Sequence, residues 1–211
     1  MAEPTDVIDL EQARREAEGK AQLRAEMPRA LRAIGLREQE VELLGALDER
    51  WPALAKLRAW AADAEGPKRC FATVGGVTGT GKTIAACAVL AEQCRERLKC
   101  ESFDGWLWRP KRGRYVKASE LSRLSYFDDT DVRRLEQLAV VPWLVVDDLG
   151  AEWLSDPWRA SFLELIDARA AHRVRTIITT NMKSSELGPR YDVRVWRRLQ
   201  DFGVFLLARK P

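Results

Sequence analysis

The run GVTGTGKT at residues 76–83 narrows the possible folds more than any other part of the chain. Gly76, Gly81, Lys82 and Thr83 satisfy the spacing Gly-x-x-x-x-Gly-Lys-Ser/Thr, and Gly79 adds one more residue without a side chain. Glycines let the backbone curl until several N–H groups face one point, and a helix starting there adds the positive end of its dipole. Such a loop holds phosphate only with a strand before it and a helix after it. Both are present as patterns: CFATV at 70–74 reads as a buried strand, and 82–99 reads as a helix apolar on nearly every side. The expected binding loop runs through Gly76, Val77, Thr78, Gly79, Thr80, Gly81, Lys82, Thr83 and Ile84. In it Lys82 reaches the β and γ phosphates and the Thr83 hydroxyl holds a magnesium ion. A chance glycine turn is the competing reading, and the flanking patterns weigh against it.

The same alternation continues downstream. Strands are predicted at RYVKA (114–118), WLVV (143–146), VRTIIT (174–179) and VFLLA (204–208), with helices at 129–139, 157–171 and 192–200. Asp156 followed by Pro157 suits a helix start. Strands separated by helices imply an α/β fold, a five-stranded parallel sheet covered on both faces in three layers.

WLVVDDLG, at 143–150, ends an apolar run on two adjacent carboxylates, which burial penalises unless a cation compensates them. In a parallel sheet the strand ends cluster at one edge, so Asp147 can face the magnesium ion near Thr83. Asp148, one residue on, is then placed to orient or deprotonate an attacking water, with capping of the strand exit as its alternative role. A third strand, TIITTN, ends on Asn181, a group able to hydrogen-bond the γ-phosphate or that water.

The remaining sequence bounds the setting. The first 65 residues read as helices, with Val41, Leu44, Leu47, Trp51, Leu54 and Leu57 at helical spacing and Pro52 splitting the run. They hold ten Lys/Arg against fourteen Asp/Glu, whereas 66–211 hold twenty-five against eighteen. An acidic arm facing a protein and a basic body facing an anion are the expectation, with AEGPK at 64–68 as boundary. Whether the helices of 1–65 pack on the body or hold a partner, the sequence leaves open. Four cysteines without a Cys-x-x-Cys pair, together with one histidine, argue against zinc and for reduced thiols. No apolar stretch approaches a membrane span, and the N-terminus lacks signal-peptide order, so a cytoplasmic, membrane-free protein is expected.

WLWRPKRGRYVK, at 106–117, carries five cations and three aromatics with no acid. Arg109, Lys111, Arg112, Arg114 and Lys117 could follow a phosphate backbone while Trp106, Trp108 and Tyr115 stack on bases, which suits single-stranded DNA. A basic hairpin whose tryptophans belong to the core is the alternative.

The motifs in this order resemble the AAA+ ATPases. VVDDLG, TIITTN and the arginines of RYDVRVWRRL look like the DnaC-type helicase loaders and the similar IstB-type transposition helpers, over about residues 70–208. The resemblance implies a lidless P-loop NTPase core of the ASCE class that binds ATP and Mg2+, with nucleotides at the boundaries of a homo-oligomer. Matched residue by residue, Gly76, Gly81, Lys82 and Thr83 fall on Walker A, Asp147 and Asp148 on Walker B, and Asn181 on sensor 1. Arg198 falls on the arginine finger and Arg194 on the arginine one turn earlier; Arg190 and Arg197 read as solvated charge. It implies a partner too: a replicative helicase engaged through residues 1–65, or a transposase for the IstB-type alternative. Nucleotide-gated DNA binding without hydrolysis is a third reading, since Asp148 stands where many of these proteins have glutamate.

Overall fold

A computed structural model of the chain describes residues 4–45, 47, 50–63, 69–100, 103–124 and 128–210. Three helices lead: α1 (Pro4–Ala33), α2 (Glu38–Gly45) and α3 (Pro52–Ala62). Pro52 takes the first turn of α3, where its missing N–H costs no hydrogen bond. The sheet then forms from β1 (Phe71–Gly75), β4 (Gly113–Lys117), β5 (Trp143–Leu149), β6 (Arg175–Thr180) and β7 (Gly203–Leu207), all parallel, in the order β4-β5-β6-β1-β7. Helix α4 (Lys82–Gln93) covers one face; α6 (Asp129–Val140), α7 (Asp156–His172) and α9 (Val193–Asp201) cover the other. The three predicted layers and five parallel strands are the observed ones.

Leu31, Ile34, Leu36, Val41, Ala53, Leu54, Leu57 and Trp60 lie buried in one cluster with Ala72, Val74 and the α4 residues Ala85–Ala91. Leu54 and Leu57 are fully buried, and each such side chain contributes about 1.5–3 kcal/mol. Arg58 pairs with Glu92 across α3 and α4, and Lys56 donates to the Leu207 carbonyl. The described residues between 31 and 60 therefore form part of the layer over α4. In α1, residues 20–22 and 24–26 are exposed and Leu23 between them is half-buried.

One predicted element is corrected. The helix expected over 82–99 stops at Gln93, and β2 (Arg95–Cys100) turns back to pair antiparallel with β3 (Phe103–Trp108). Arg95 to Lys99 suit a helix by propensity, so it is pairing with β3 that makes them a strand. The Trp108 indole donates to the Leu23 carbonyl of α1, which fastens the ribbon to that helix. Two further elements had no sequence reading, α5 (Ala118–Leu121) and α8 (Ser184–Tyr191).

Across the opposite face Arg169 is fully buried in α7. It donates to Thr176 Oγ1, to the Leu138 and Val141 carbonyls at the end of α6, and to the Arg175 carbonyl. Burial pushes its guanidinium down to about 9. Among the described residues this cation has no carboxylate partner, and it satisfies helix-end carbonyls that would otherwise be stranded.

Candidate functional site: a phosphate loop facing two aspartates

The loop between β1 and α4 ends on Gly81 in the left-handed region (φ 75°), and Gly79 is left-handed too (φ 78°). A Cβ on Gly81 would stand 2.6 Å from the ring of Trp51, so this position takes glycine for two reasons, backbone and space. Helix α4 has no side-chain cap and no acid in its first turn, whereas α6, α7 and α9 are capped by Asp128, Ser155 and Asp192. Its first-turn amides thus face the loop with no N-cap side chain bonded to them, which suits an anion.

Lys82 lies back over this loop. Its ammonium donates to the Gly76 carbonyl (2.7 Å), the Val77 carbonyl (2.9 Å) and Asn181 Oδ1 (2.9 Å). Burial lowers its pKa, and Asp148 and then Asp147 pull the other way.

Asp147 is buried, with three hydroxyls around it. Oδ1 accepts from Thr83 (2.9 Å) and Thr179 (2.6 Å), and Oδ2 accepts from Tyr115 (2.8 Å). All three hydroxyls spend their hydrogen on the carboxylate, so Thr83 Oγ1 keeps lone pairs free for a metal. A hydroxyl oxygen beside a carboxylate is an all-oxygen donor set, which fits Mg2+. Burial, aided by Asp147, pushes the Tyr115 phenol far above its ordinary range and keeps it a donor.

A bulge in β5 positions the second aspartate. Val146 pairs with Ile178 and Leu149 with Thr180, so Asp147 and Asp148 together face the single residue Thr179. In a regular strand the two carboxylates would point to opposite faces. Asp148 instead takes φ 58°, its N–H donates to Thr179 Oγ1 (2.8 Å), and its Oδ1 accepts from Asn181 Nδ2 (3.2 Å). Lys82, Thr83, Asp147, Asp148 and Asn181 are thus joined in one hydrogen-bonded cluster at the ends of β1, β5 and β6.

The sequence reading missed the supports of this cluster. Thr179 is one of three threonines in β6, and nothing local sets it apart from Thr176 and Thr180. Glu40 in α2 carried no signal at all. Its carboxylate, 3% exposed, pairs with the Lys117 ammonium (3.1 Å), accepts from the Arg37 N–H (3.0 Å) and lies 3.4 Å from the Tyr115 hydroxyl oxygen.

No family model matches the chain. An ATP-binding protein ascribed to insertion sequence IS1162 of Pseudomonas fluorescens is 36% identical over 110 residues, which span 52% of this chain and 43% of that protein. The chain thus matches less than half of that relative's length. Among solved structures, the DnaC helicase loader superposes with a TM-score of 0.61 and 25% identity, covering 79% of this chain and 96% of that one. DnaI gives 0.61 and 21%, covering 83% and 96%. DnaA bound to AMPPCP and single-stranded DNA gives 0.55 and 15%, covering 75% and 45%.

The chain has the AAA+ fold of the DnaC-type helicase loaders. In this AAA+ core the two helix α9 arginines stand apart from the P-loop cluster. Arg198 pairs with Asp167 of α7 (2.6 Å) and Arg194 with Asp192 (3.1 Å). Both pairs are at the surface, where solvent screens such bonds and they exchange readily. Arg197 is exposed, as expected. Arg190 is corrected from solvated charge to a structural group: it donates to the Gly150 and Glu152 carbonyls and to the buried Glu152 carboxylate, which also accepts from Tyr191 (2.5 Å).

The basic segment runs from β3 through a 3-10 turn at Pro110–Arg112 into β4. Trp106 is exposed on β3, while Trp108 is half-buried against α1. Arg109 pairs with Glu96, Lys111 is exposed, Arg112 is half-buried, and Arg114 donates to the Pro110 and Gly113 carbonyls. Tyr115 and Lys117 lie on β4 and turn to Asp147 and Glu40. For Tyr115 the reading as a base-stacking residue is corrected: a ring 6% exposed, with its hydroxyl on Asp147, offers no face to a base. Among the described residues no helix is long and apolar enough to cross a membrane.

Proposed function

We propose that this chain is an ATPase that binds ATP with Mg2+ and acts on DNA as a replication accessory of the helicase-loader kind. The observation that carries it is the single cluster of Lys82, Thr83, Asp147, Asp148 and Asn181 beside an uncapped helix start. In this reading the loop amides and Lys82 bind the triphosphate, Thr83 and Asp147 hold Mg2+, and the metal when bound neutralises phosphate charge. Asp148, fixed by the bulge, takes the proton of the attacking water, and Asn181 orients it. Arg198 and Arg194 act on a neighbouring copy's nucleotide in a homo-oligomer, which makes the lone chain a slow enzyme.

Single-stranded DNA lies along the cations at Arg109, Lys111, Arg112 and Arg114, with Trp106 as the stacking ring and Trp108 behind it. Residues 1–65 engage the replicative helicase, and 66–211 form the ATPase core. A second reading, a transposition helper that engages a transposase through the same residues, is favoured by the likeness to the insertion-sequence protein. Recovery of a helicase or of a transposase with the intact chain separates them. The core assignment is tested by nucleotide affinity and turnover, with and without single-stranded DNA. Lys82→Ala abolishes binding, whereas Asp148→Asn keeps binding and loses turnover. Unchanged affinity in the first variant or full turnover in the second refutes the assignment.

A further inference from the structure

Lys117 is the register partner of Asp147 across β4 and β5, so the two Cα atoms are strand neighbours about 4.8 Å apart and their side chains share a face. An ammonium in that place has an obvious acceptor in Asp147. It goes instead to Glu40, which reaches the spot from α2, seventy-seven residues earlier in the chain. Lys117 is only partly exposed and Glu40 is almost wholly buried, so the pair is poorly screened by solvent. Tyr115 spans the two acids, 2.8 Å from Asp147 and 3.4 Å from Glu40. The Cys87 thiol of α4 shares this compartment; burial raises it well above its ordinary range, Asp147 and Glu40 add to the rise, and Lys117 opposes it.

We infer that Glu40 is a positioning residue that keeps the Lys117 ammonium off Asp147, so that the seating of helix α2 decides whether the Walker B carboxylate is free to hold a metal. With α2 in place, Lys117 is neutralised by Glu40 and Asp147 keeps only hydroxyl donors. With α2 displaced, Glu40 leaves, and Asp147, the strand neighbour of Lys117 on the same face, is a carboxylate within reach of its half-buried ammonium. Two cations then compete for one acid, and the covalently tethered one has the advantage of high local concentration. Because coupling of this kind is reciprocal, Mg2+ with nucleotide also favours the seated α2. A partner that draws on the N-terminal helices would thereby lower metal affinity without touching the phosphate loop. The inference rests on the reading of Asp147 as the metal-facing carboxylate.

The test is an Mg2+ titration of the binding of a fluorescent ADP analogue to the intact chain, with a parallel measurement in EDTA. Glu40→Gln raises the Mg2+ concentration at half-saturation about tenfold, the lower end of what loss of a metal-supporting partner costs. It leaves the EDTA affinity unchanged. Adding Lys117→Met to the same chain returns the Mg2+ dependence to within about twofold of wild type, a rescue that a merely structural role for Glu40 does not produce. A wild-type Mg2+ dependence in Glu40→Gln, or a defect that Lys117→Met fails to repair, overturns the inference. If Glu40→Gln does not fold, the paired change Glu40→Leu with Lys117→Met decides: wild-type dependence supports the inference and a tenfold loss overturns it. A wild-type chain that binds no nucleotide at any Mg2+ concentration overturns the proposed function and this inference with it, which separates the two failures.

Discussion

Thr179→Val exchanges a hydroxyl for a methyl of nearly equal size, and the structure sets what that removes. The Thr179 hydroxyl donates to Asp147 Oδ1 and accepts the Asp148 N–H, so the change strips one donor from a buried carboxylate and strands one amide. A hydrogen bond to a charged group is worth about 1.5–3 kcal/mol and an unsatisfied buried N–H costs about 1–3 kcal/mol. Asp148 is only half-buried and water reaches part of it, so the combined loss comes to about 2–4 kcal/mol. For a chain of this size that lowers the Tm by roughly 5–15 °C. Asp148 also loses a tether for its left-handed conformation, which costs a non-glycine residue about 1–2 kcal/mol. The carboxylate then drifts, and if it takes the proton of the attacking water as proposed, the displacement loses on the order of 10² in rate. Thermal unfolding, turnover and nucleotide affinity are measured together on Thr179→Val and Thr179→Ser. The expected result is a lower Tm and a turnover loss near that size in Thr179→Val, nucleotide affinity held within about threefold, and recovery of most of both losses in Thr179→Ser. A Thr179→Val chain with wild-type Tm and turnover would refute the role given to the bulge.

If Arg198 serves a neighbouring copy, mixing Arg198→Ala with Lys82→Ala chains restores part of the hydrolysis that each lacks alone, and failure despite proven co-assembly counts against it. The buried thiols predict loss of stability at high pH. Burial pushes Cys94 from 9.0 up to about 11, against the pull of Arg112 and Arg114, so the folded chain holds this proton more tightly than the unfolded one. The contribution is intact below pH 9 and fades between about pH 9 and 11, by roughly 3 kcal/mol. Urea unfolding across that range should show a shallower decline in Cys94→Ala than in wild type; equal slopes would rule the thiol out as a cause.

The helix expected over 82–99 shows where local reading stopped. Arg95 to Lys99 carry no mark that separates a continued helix from a strand, and only β3, with Trp108 set against Leu23, decides for the strand. Tyr115 shows the same limit for the site. In a basic, aromatic segment its ring reads as a surface group, but alternation along β4 turns it toward Asp147 while Arg114 points to the other face. Arg190 reads as free charge because its buried partner, Glu152, is thirty-eight residues away.

Sequence alone determined the layered α/β architecture, the phosphate loop and the strand ends that bear Asp147, Asp148 and Asn181. These follow from short-range pattern: apolar runs of strand or helix length, and glycines, a lysine and a threonine at fixed spacing. Tertiary structure alone decided the bulge that brings both aspartates to Thr179, the ribbon at 95–108, and the meeting of Glu40 with Lys117 beside Asp147. Those depend on which distant residues become neighbours across the sheet and under α2, and a pairing of that kind leaves no periodicity in the chain.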